Sequence, residues 1–152
     1  GPFGRLRERD KQSIERAILL TGLEALRKRA VSTLSGGERQ RAWIAVTLAQ
    51  QASCLLLDEP ISALDLSHQY EILLLLEQLC KQDGLCIVAV LHDINLAARF
   101  ADHIVALKGG KLIADAPPAT IMQSDMLRDI FGMDMLVQPH PTNGHPFALA
   151  NV

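Results

Sequence analysis

Two adjacent carboxylates, Asp58 and Glu59, follow an apolar run in the stretch SCLLLDEPISALD. At a strand end the first carboxylate can hold a hydrated Mg²⁺ through water, and the second can orient or deprotonate a water molecule. Pro60 disfavours the helical region for Glu59, which predicts extended backbone there. His92 ends a second apolar run, LCIVAVLHD, and its imidazole can donate to a phosphoryl oxygen. These residue types together indicate phosphate chemistry, although each is also common at ordinary strand ends.

The stretch LSGGE, residues 34–38, predicts the start of a helix. Ser35 and Glu38 have the spacing of a capping box. The box does not account for Gly36 and Gly37, because a glycine inside a helix costs about 1 kcal/mol relative to alanine. Two glycines there indicate that another surface approaches the backbone closely. Because a helix start also attracts anions, we interpret this segment as a phosphate-facing surface.

The elements that must position these residues are two strands and the helix between them. CLLLD and LCIVAVLHD do not alternate between apolar and polar residues, so we expect both faces of each strand to be buried. A leucine-rich helix from Leu64 to about Lys81 joins them as a right-handed βαβ crossover. The strands are then parallel, and Asp58, Glu59 and His92 emerge at the sheet edge where such folds bind ligands.

The remaining chain predicts an α/β domain with peripheral elements. Helices are expected from Leu6 to about Leu20 and near residues 24–29, 118–122 and 125–131, and Gly109-Gly110 predicts the turn of a hairpin in HIVALKGGKLIAD. The tail from Gln138 is rich in proline and predicted to be irregular. We expect a helical subdomain over residues 1–50, an α/β core over residues 51–135 and an irregular tail over residues 136–152.

Composition indicates a globular chain without strong attraction to nucleic acid. The 152 residues are 49% hydrophobic and 21% charged, with a net charge of −2. Cys54, Cys80 and Cys86 lie in or beside apolar runs and are interpreted as small buried hydrophobes in a reducing compartment. No apolar run approaches the roughly 18 residues of a membrane-spanning helix.

The order of the motifs resembles the nucleotide-binding subunits of ABC transporters, and the resemblance covers nearly the whole chain. LSGGE looks like the family's signature motif, CLLLDE like Walker B, SALD like the D-loop and His92 like the switch histidine. The family usually has Gln where Glu38 stands and Thr where Ile61 stands, and both departures are mild. The fold that the resemblance implies is a P-loop NTPase-like ABC ATPase, present as its C-terminal portion: part of the helical subdomain, the parallel-sheet core and a C-terminal hairpin with helices.

The resemblance also implies the roles of individual residues towards ATP and Mg²⁺. Glu59 and His92 would be catalytic, and Asp58 would hold Mg²⁺ through water. The signature residues would face the ATP of the opposite subunit in a homodimer; they are Ser35, Gly36, Gly37 and Glu38. The D-loop residues would lie at the dimer contact; they are Ser62, Ala63, Leu64 and Asp65.

A finer resemblance, carried by LSGGERQRAWIA, VLHDINLAARFAD and the PHP of the tail, is to the ATPases of bacterial iron–siderophore importers of the ferric-hydroxamate type. It implies integral-membrane permease subunits as partners, a periplasmic binding protein as an indirect partner, no nucleic acid, and a location at the cytoplasmic face of the bacterial inner membrane. Importers of cobalamin or haem have similar ATPases and remain alternatives.

The sequence contains no G-x-x-x-x-G-K-[ST], the loop that cradles the phosphates in this family. We therefore expect this chain alone to be inactive, with the phosphate cradle on a segment upstream. A truncated, non-catalytic interaction module that docks or dimerises without hydrolysis is the alternative. An ABC-type ATPase acting on DNA or the ribosome is less favoured, since there is no sustained basic patch.

Overall fold

The computed structural model describes residues 6–142 and 144–151, and the chain divides into two compact units between Val90 and Leu91. The first unit contains α1 (Glu8–Leu20), 3₁₀ turns at Glu24–Leu26 and Val31–Thr33, α2 (Gly36–Ala49), β1 (Cys54–Leu57), α3 (Leu66–Asp83) and β2 (Cys86–Ala89). The second contains α4 (Ile94–Phe100), β3 (Ile104–Lys108), β4 (Lys111–Ala116), α5 (Pro118–Ile121), α6 (Ser124–Phe131), β5 (Met135–Pro139) and β6 (Pro146–Ala150). None of the described helices is both long enough and apolar enough to cross a membrane.

The two strands of the first unit form the predicted βαβ arrangement. Strands β1 and β2 pair in parallel, from Cys54 opposite Cys86 to Leu57 opposite Ala89, and α3 connects them. The backbone N–H of Val90 extends the pairing by donating to the carbonyl of Leu57 at 2.9 Å. The carboxyl ends of both strands therefore lie at one edge, as expected from the sequence.

The prediction that both faces of these strands are buried was wrong. Leu55 is only 3% exposed, but its neighbour Leu56 is 77% exposed and the register partner Val88 is 54% exposed. Helix α3 contacts β2 and can cover a single face of the pair. Cys54 and Cys86 are also exposed, which corrects their interpretation as buried residues. They lie opposite each other, and a hydrogen bond with Cys86 raises the pKa of the Cys54 thiol.

Helices α1 and α2 pack together through small side chains. Ala17 on α1 and Ala45 on α2 are buried with Leu23, which follows α1. The buried hydroxyl of Thr21 donates to the carbonyl of Ala17 at 2.8 Å, so the hydroxyl has a hydrogen-bond partner at the end of α1. The packing of α1 on α2 holds the amino-terminal part of the first unit against the helix that begins at LSGGE.

The second unit has its own apolar core. Ile121 and Leu127 are fully buried, and Ile104, Met122 and Ala148 complete the cluster. The predicted hairpin is present: β3 and β4 pair antiparallel, with a β-bulge between residues 106 and 107. Gly109 and Gly110 form its turn at φ values of 56° and 73°, the left-handed region that glycine adopts without strain. The helices expected near residues 118–122 and 125–131 correspond to α5 and α6.

The irregular tail predicted for residues 136–152 was wrong, because β5 and β6 form an antiparallel hairpin. The prolines at the two strand ends, Pro139 and Pro146, are register partners at the end of the ladder, where a missing N–H disturbs little pairing. The side chain of Asn95 holds β6 on α4, accepting from the N–H of Ala148 at 2.7 Å and donating to its carbonyl at 3.0 Å. A high proline content was therefore a poor guide to irregular backbone here.

Candidate functional site

Helix α2 begins with the capping box that the sequence predicts. The hydroxyl of Ser35 accepts from the N–H of Glu38 at 3.3 Å, and the Glu38 carboxylate accepts from the N–H of Ser35 at 2.7 Å. This backbone hydrogen bond is the main reason why the pKa of Glu38 is lowered. Ser35 and Glu38 therefore fix the start of the helix, whatever else they contact.

The close approach predicted for the two glycines is present, but its surface belongs to the same chain. A Cβ atom at Gly37 would lie 2.6 Å from Cδ2 of His68, well inside van der Waals contact. One at Gly36 would meet only Cδ2 of Leu64, at 3.4 Å. Gly37 is buried and Gly36 is exposed. Packing on α3 thus explains Gly37, and a phosphate-facing role for both glycines stays a prediction.

The two carboxylates Asp58 and Glu59 are exposed and directly follow β1. Glu59 has a φ of 46°, which places its backbone in the left-handed region. The expectation of extended backbone was therefore wrong: Pro60 disfavours the right-handed helical region for Glu59, and the residue adopts the left-handed region instead. A glutamate in this region is strained, and such strain clusters at functional sites.

The segment after Glu59 folds into a compact turn. The N–H and hydroxyl of Ser62 both donate to the carbonyl of Glu59, at 3.3 and 3.2 Å. The N–H of Leu64 donates to the carbonyl of Ile61 at 3.1 Å. Asp65 then caps α3 by accepting from its first turn. The predicted D-loop residues therefore occupy a fixed turn between the carboxylates and the following helix.

A cavity of about 290 Å³ joins three of the predicted elements within the first unit. Glu59 follows β1, Gly36 begins α2, and Ala63 and Leu64 belong to the turn; the complete lining is Gly36, Arg39, Gln40, Trp43, Glu59, Pro60, Ala63 and Leu64. The sequence interpretation missed Arg39, Gln40 and Trp43. Their helical spacing from Gly36 is the signal that would have placed them on the same side of α2.

His92 belongs to the second unit, whereas the other predicted site residues belong to the first. It directly precedes Asp93, whose carboxylate caps α4 by accepting from the N–H groups of Asn95 and Leu96 at 2.7 and 3.1 Å. The cap fixes the backbone next to the histidine. The catalytic role of His92 remains a prediction.

Asp65 provides a pH-dependent test of this part of the structure. Hydrogen bonds from the backbone and side chain of His68 and from Ser67 hold the pKa of Asp65 at about 2, below its usual 3.8. A depressed carboxylate pKa contributes stability above the unfolded-state pKa, and this contribution is lost as pH falls through the folded-state pKa. Asp65→Asn keeps a good cap without the charge. In urea unfolding, the advantage of wild type over Asp65→Asn should therefore shrink between pH 3.8 and about 2; an advantage that does not change over this range would contradict it.

Comparison with known proteins places these features in a family context. The family model described as "ABC transporter" matches residues 4–62. The ferric enterobactin transport ATP-binding protein FepC of Escherichia coli is 42% identical over 97% of this chain and 54% of its own length. The iron(3+)-hydroxamate import ATP-binding protein FhuC of Bacillus subtilis is 44% identical over 97% of this chain and 55% of its own. The chain thus spans about half the length of the curated relatives it matches.

A solved structure agrees with these sequence matches. A metal-chelate type ABC transporter in an inward-facing conformation superposes with a TM-score of 0.91 at 28% identity, over 100% of this chain and 62% of that chain. The dimeric, post-hydrolysis ATP-binding cassette MJ0796, bound to ADP and Pi, matches with a TM-score of 0.62 at 32% identity, over 76% of this chain and 50% of that chain.

Proposed function

Because the chain belongs to the ABC transporter ATP-binding family, we propose that it supplies one part of an ATPase site in an importer. The observation that carries this proposal is the cavity in which Glu59, the start of α2 and the turn at Ala63 and Leu64 meet. A strained, exposed glutamate facing the start of a helix suits water activation beside a bound phosphate.

Asp58 and Glu59 have separate roles in this proposal. Both are exposed at the carboxyl end of β1, and carboxylate oxygens are ligands that Mg²⁺ accepts directly or through water. Asp58 would hold Mg²⁺, and Glu59 would orient and deprotonate the attacking water. Bound Mg²⁺ would neutralise charge on the phosphates of ATP. His92 would donate a hydrogen bond to a phosphoryl oxygen.

The start of α2 is proposed to face the ATP of a second subunit. The first N–H groups of a helix have no acceptor within that helix, and the exposed Gly36 leaves room beside them. Ser35, Gly36, Gly37 and Glu38 would act from this chain on the partner's nucleotide. Ser62, Ala63, Leu64 and Asp65 would line the contact of the same homodimer.

The transported compound is proposed to be a ferric siderophore. FepC is named for ferric enterobactin and FhuC for iron(3+)-hydroxamate, and both are more than 40% identical to this chain over 97% of it. A haem or cobalamin importer is the alternative. Permease subunits would be the direct partners, a periplasmic binding protein an indirect one, and the cytoplasmic face of the inner membrane the location.

A second function, that of an interaction module without catalysis, is favoured by one observation. The sequence contains no G-x-x-x-x-G-K-[ST], so the loop whose N–H groups and Lys cradle the phosphates is not part of it. Such a chain would dock on a permease or dimerise without turning over ATP.

A fusion experiment separates the two functions. The chain would be purified alone and joined to the amino-terminal half of FhuC, and MgATP would be titrated by calorimetry while phosphate release is followed. Alone, the chain should show no turnover and a dissociation constant no better than roughly millimolar, about 4 kcal/mol of binding free energy. The fusion should hydrolyse ATP. An inactive but folded fusion would favour the interaction module, and micromolar binding by the chain alone would reveal a phosphate site of its own.

A further inference from the structure

The imidazole of His68, on the first turn of α3, lies between Gly37 and Asp65. Its Nδ1 atom is 2.7 Å from Oδ1 of Asp65. On its other side, a Cβ atom at Gly37 would come within 2.6 Å of Cδ2 and 3.4 Å of Nε2. One ring therefore connects the turn after Glu59 to the first turn of α2.

The orientation of this ring is defined by Asp65. The same oxygen, Oδ1, accepts from the N–H of His68 at 3.0 Å and from the hydroxyl of Ser67 at 3.0 Å. These bonds keep Asp65 ionised, and an ionised carboxylate only accepts hydrogen bonds. Nδ1 of His68 is therefore the protonated ring nitrogen that donates to Asp65. The ring cannot turn without losing this bond.

Neighbouring contacts make the junction between α2 and α3 continuous. Leu64 lies against Gly36, one residue before Gly37. Further along the helices, Arg41 of α2 pairs with Glu71 of α3 at 3.1 Å. The ring of His68 is the part of this junction that requires a glycine, since any side chain at Gly37 would overlap it.

We propose that His68 is a positioning residue, which holds the first turn of α2 and the turn at residues 62–65 in fixed places around the cavity that contains Glu59. The effect of His68 on catalysis rests on the proposed function. His68 itself does not line the cavity, so it acts through Gly37 and Asp65.

The contact is tested first on the chain itself, by a double-mutant cycle. Gly37→Ala should destabilise the wild-type background and should be much better tolerated when His68→Ala removes the ring, with a coupling of roughly tenfold in the unfolding equilibrium constant. Gly36→Ala is the matched control, because its Cβ meets only Leu64 at 3.4 Å. It should show no such coupling to His68. Additive effects at Gly37 and His68 would overturn the proposed contact.

Two measurements distinguish a positioning role of His68 from a role in packing alone. Both compare His68→Ala with His68→Asn, because the side chain of Asn can replace Nδ1 as the donor to Asp65, whereas that of Ala cannot. In NMR spectra of the chain, His68→Ala should shift the amide signals of Gly36 and Leu64, and His68→Asn should largely restore them. In the active fusion, His68→Ala should lower kcat about tenfold with KM for ATP within about twofold, and His68→Asn should retain most of kcat.

The outcomes distinguish this proposal from the proposed function. If the wild-type fusion does not hydrolyse ATP, the proposed function fails. The positioning role of His68 is then tested by the coupling between Gly37→Ala and His68→Ala and by the amide signals of Gly36 and Leu64. If the fusion is active but His68→Ala keeps kcat within about twofold, or His68→Asn behaves like His68→Ala, the positioning role is overturned.

Discussion

Replacing Glu59 with Gln in the fusion with the amino-terminal half of FhuC should lower ATP hydrolysis by about 10² to 10⁴ while ATP binding is retained. The amide keeps the size of the side chain but cannot take a proton from water. Most of the nucleotide affinity in such enzymes comes from the phosphate-cradling loop, a motif that the sequence of this chain does not contain. Phosphate release and nucleotide titration on the same preparation measure the two properties separately.

The matched control is Glu77→Gln on α3. Glu77 pairs with Lys81 at 2.6 Å in an i,i+4 contact and does not line the cavity. Exposed pairs of this kind contribute little, so hydrolysis should stay within about twofold of wild type. Hydrolysis by Glu59→Gln within threefold of wild type would rule out Glu59 as the base. The cavity would then need another catalytic group.

Replacing Leu127 with Ala should destabilise the second unit by about 2 to 5 kcal/mol. Leu127 is fully buried in the cluster with Ile121, Met122 and Ile104, so truncation leaves a cavity as well as losing apolar contact. Leu136→Ala is the control, since Leu136 is 49% exposed on β5 of the same unit, and its loss should stay below about 1 kcal/mol.

The position of the aromatic residues allows the two units to be followed separately. The single tryptophan, Trp43, and the single tyrosine, Tyr70, both lie in the first unit. Their fluorescence reports on that unit, whereas amide exchange in β5 and β6 reports on the second. Leu127→Ala should accelerate exchange in the second unit. Equal destabilisation by Leu127→Ala and Leu136→Ala would contradict the core described for it.

Features that depend on a few neighbouring residues were predicted well from the sequence. The capping box at Ser35 and Glu38 and the tight turn at Gly109-Gly110 are confirmed, because their geometry is set by local hydrogen bonds and backbone preference. The parallel pairing of β1 and β2 is confirmed for a related reason: a helix between two short apolar strands leaves few alternatives.

Features that depend on distant partners were predicted poorly. Leu56 looks like a core residue in the sequence, but its burial depends on what packs over that face of the sheet, which an apolar run does not reveal. The pairing of β5 with β6 depends on the register across a proline-containing loop. His68 was missed because its contact with Gly37 joins residues on different helices, and no local pattern marks it.

The left-handed backbone of Glu59 lowers the folding stability at the same position whose side chain is proposed to act in ATP hydrolysis. Glycine takes this conformation at no steric cost, whereas a residue with a Cβ atom is strained there by roughly 1 to 3 kcal/mol. Optimisation for stability alone would therefore favour glycine at position 59. A redesign of this chain for thermal stability alone would therefore select against the carboxylate on which ATP hydrolysis is proposed to depend.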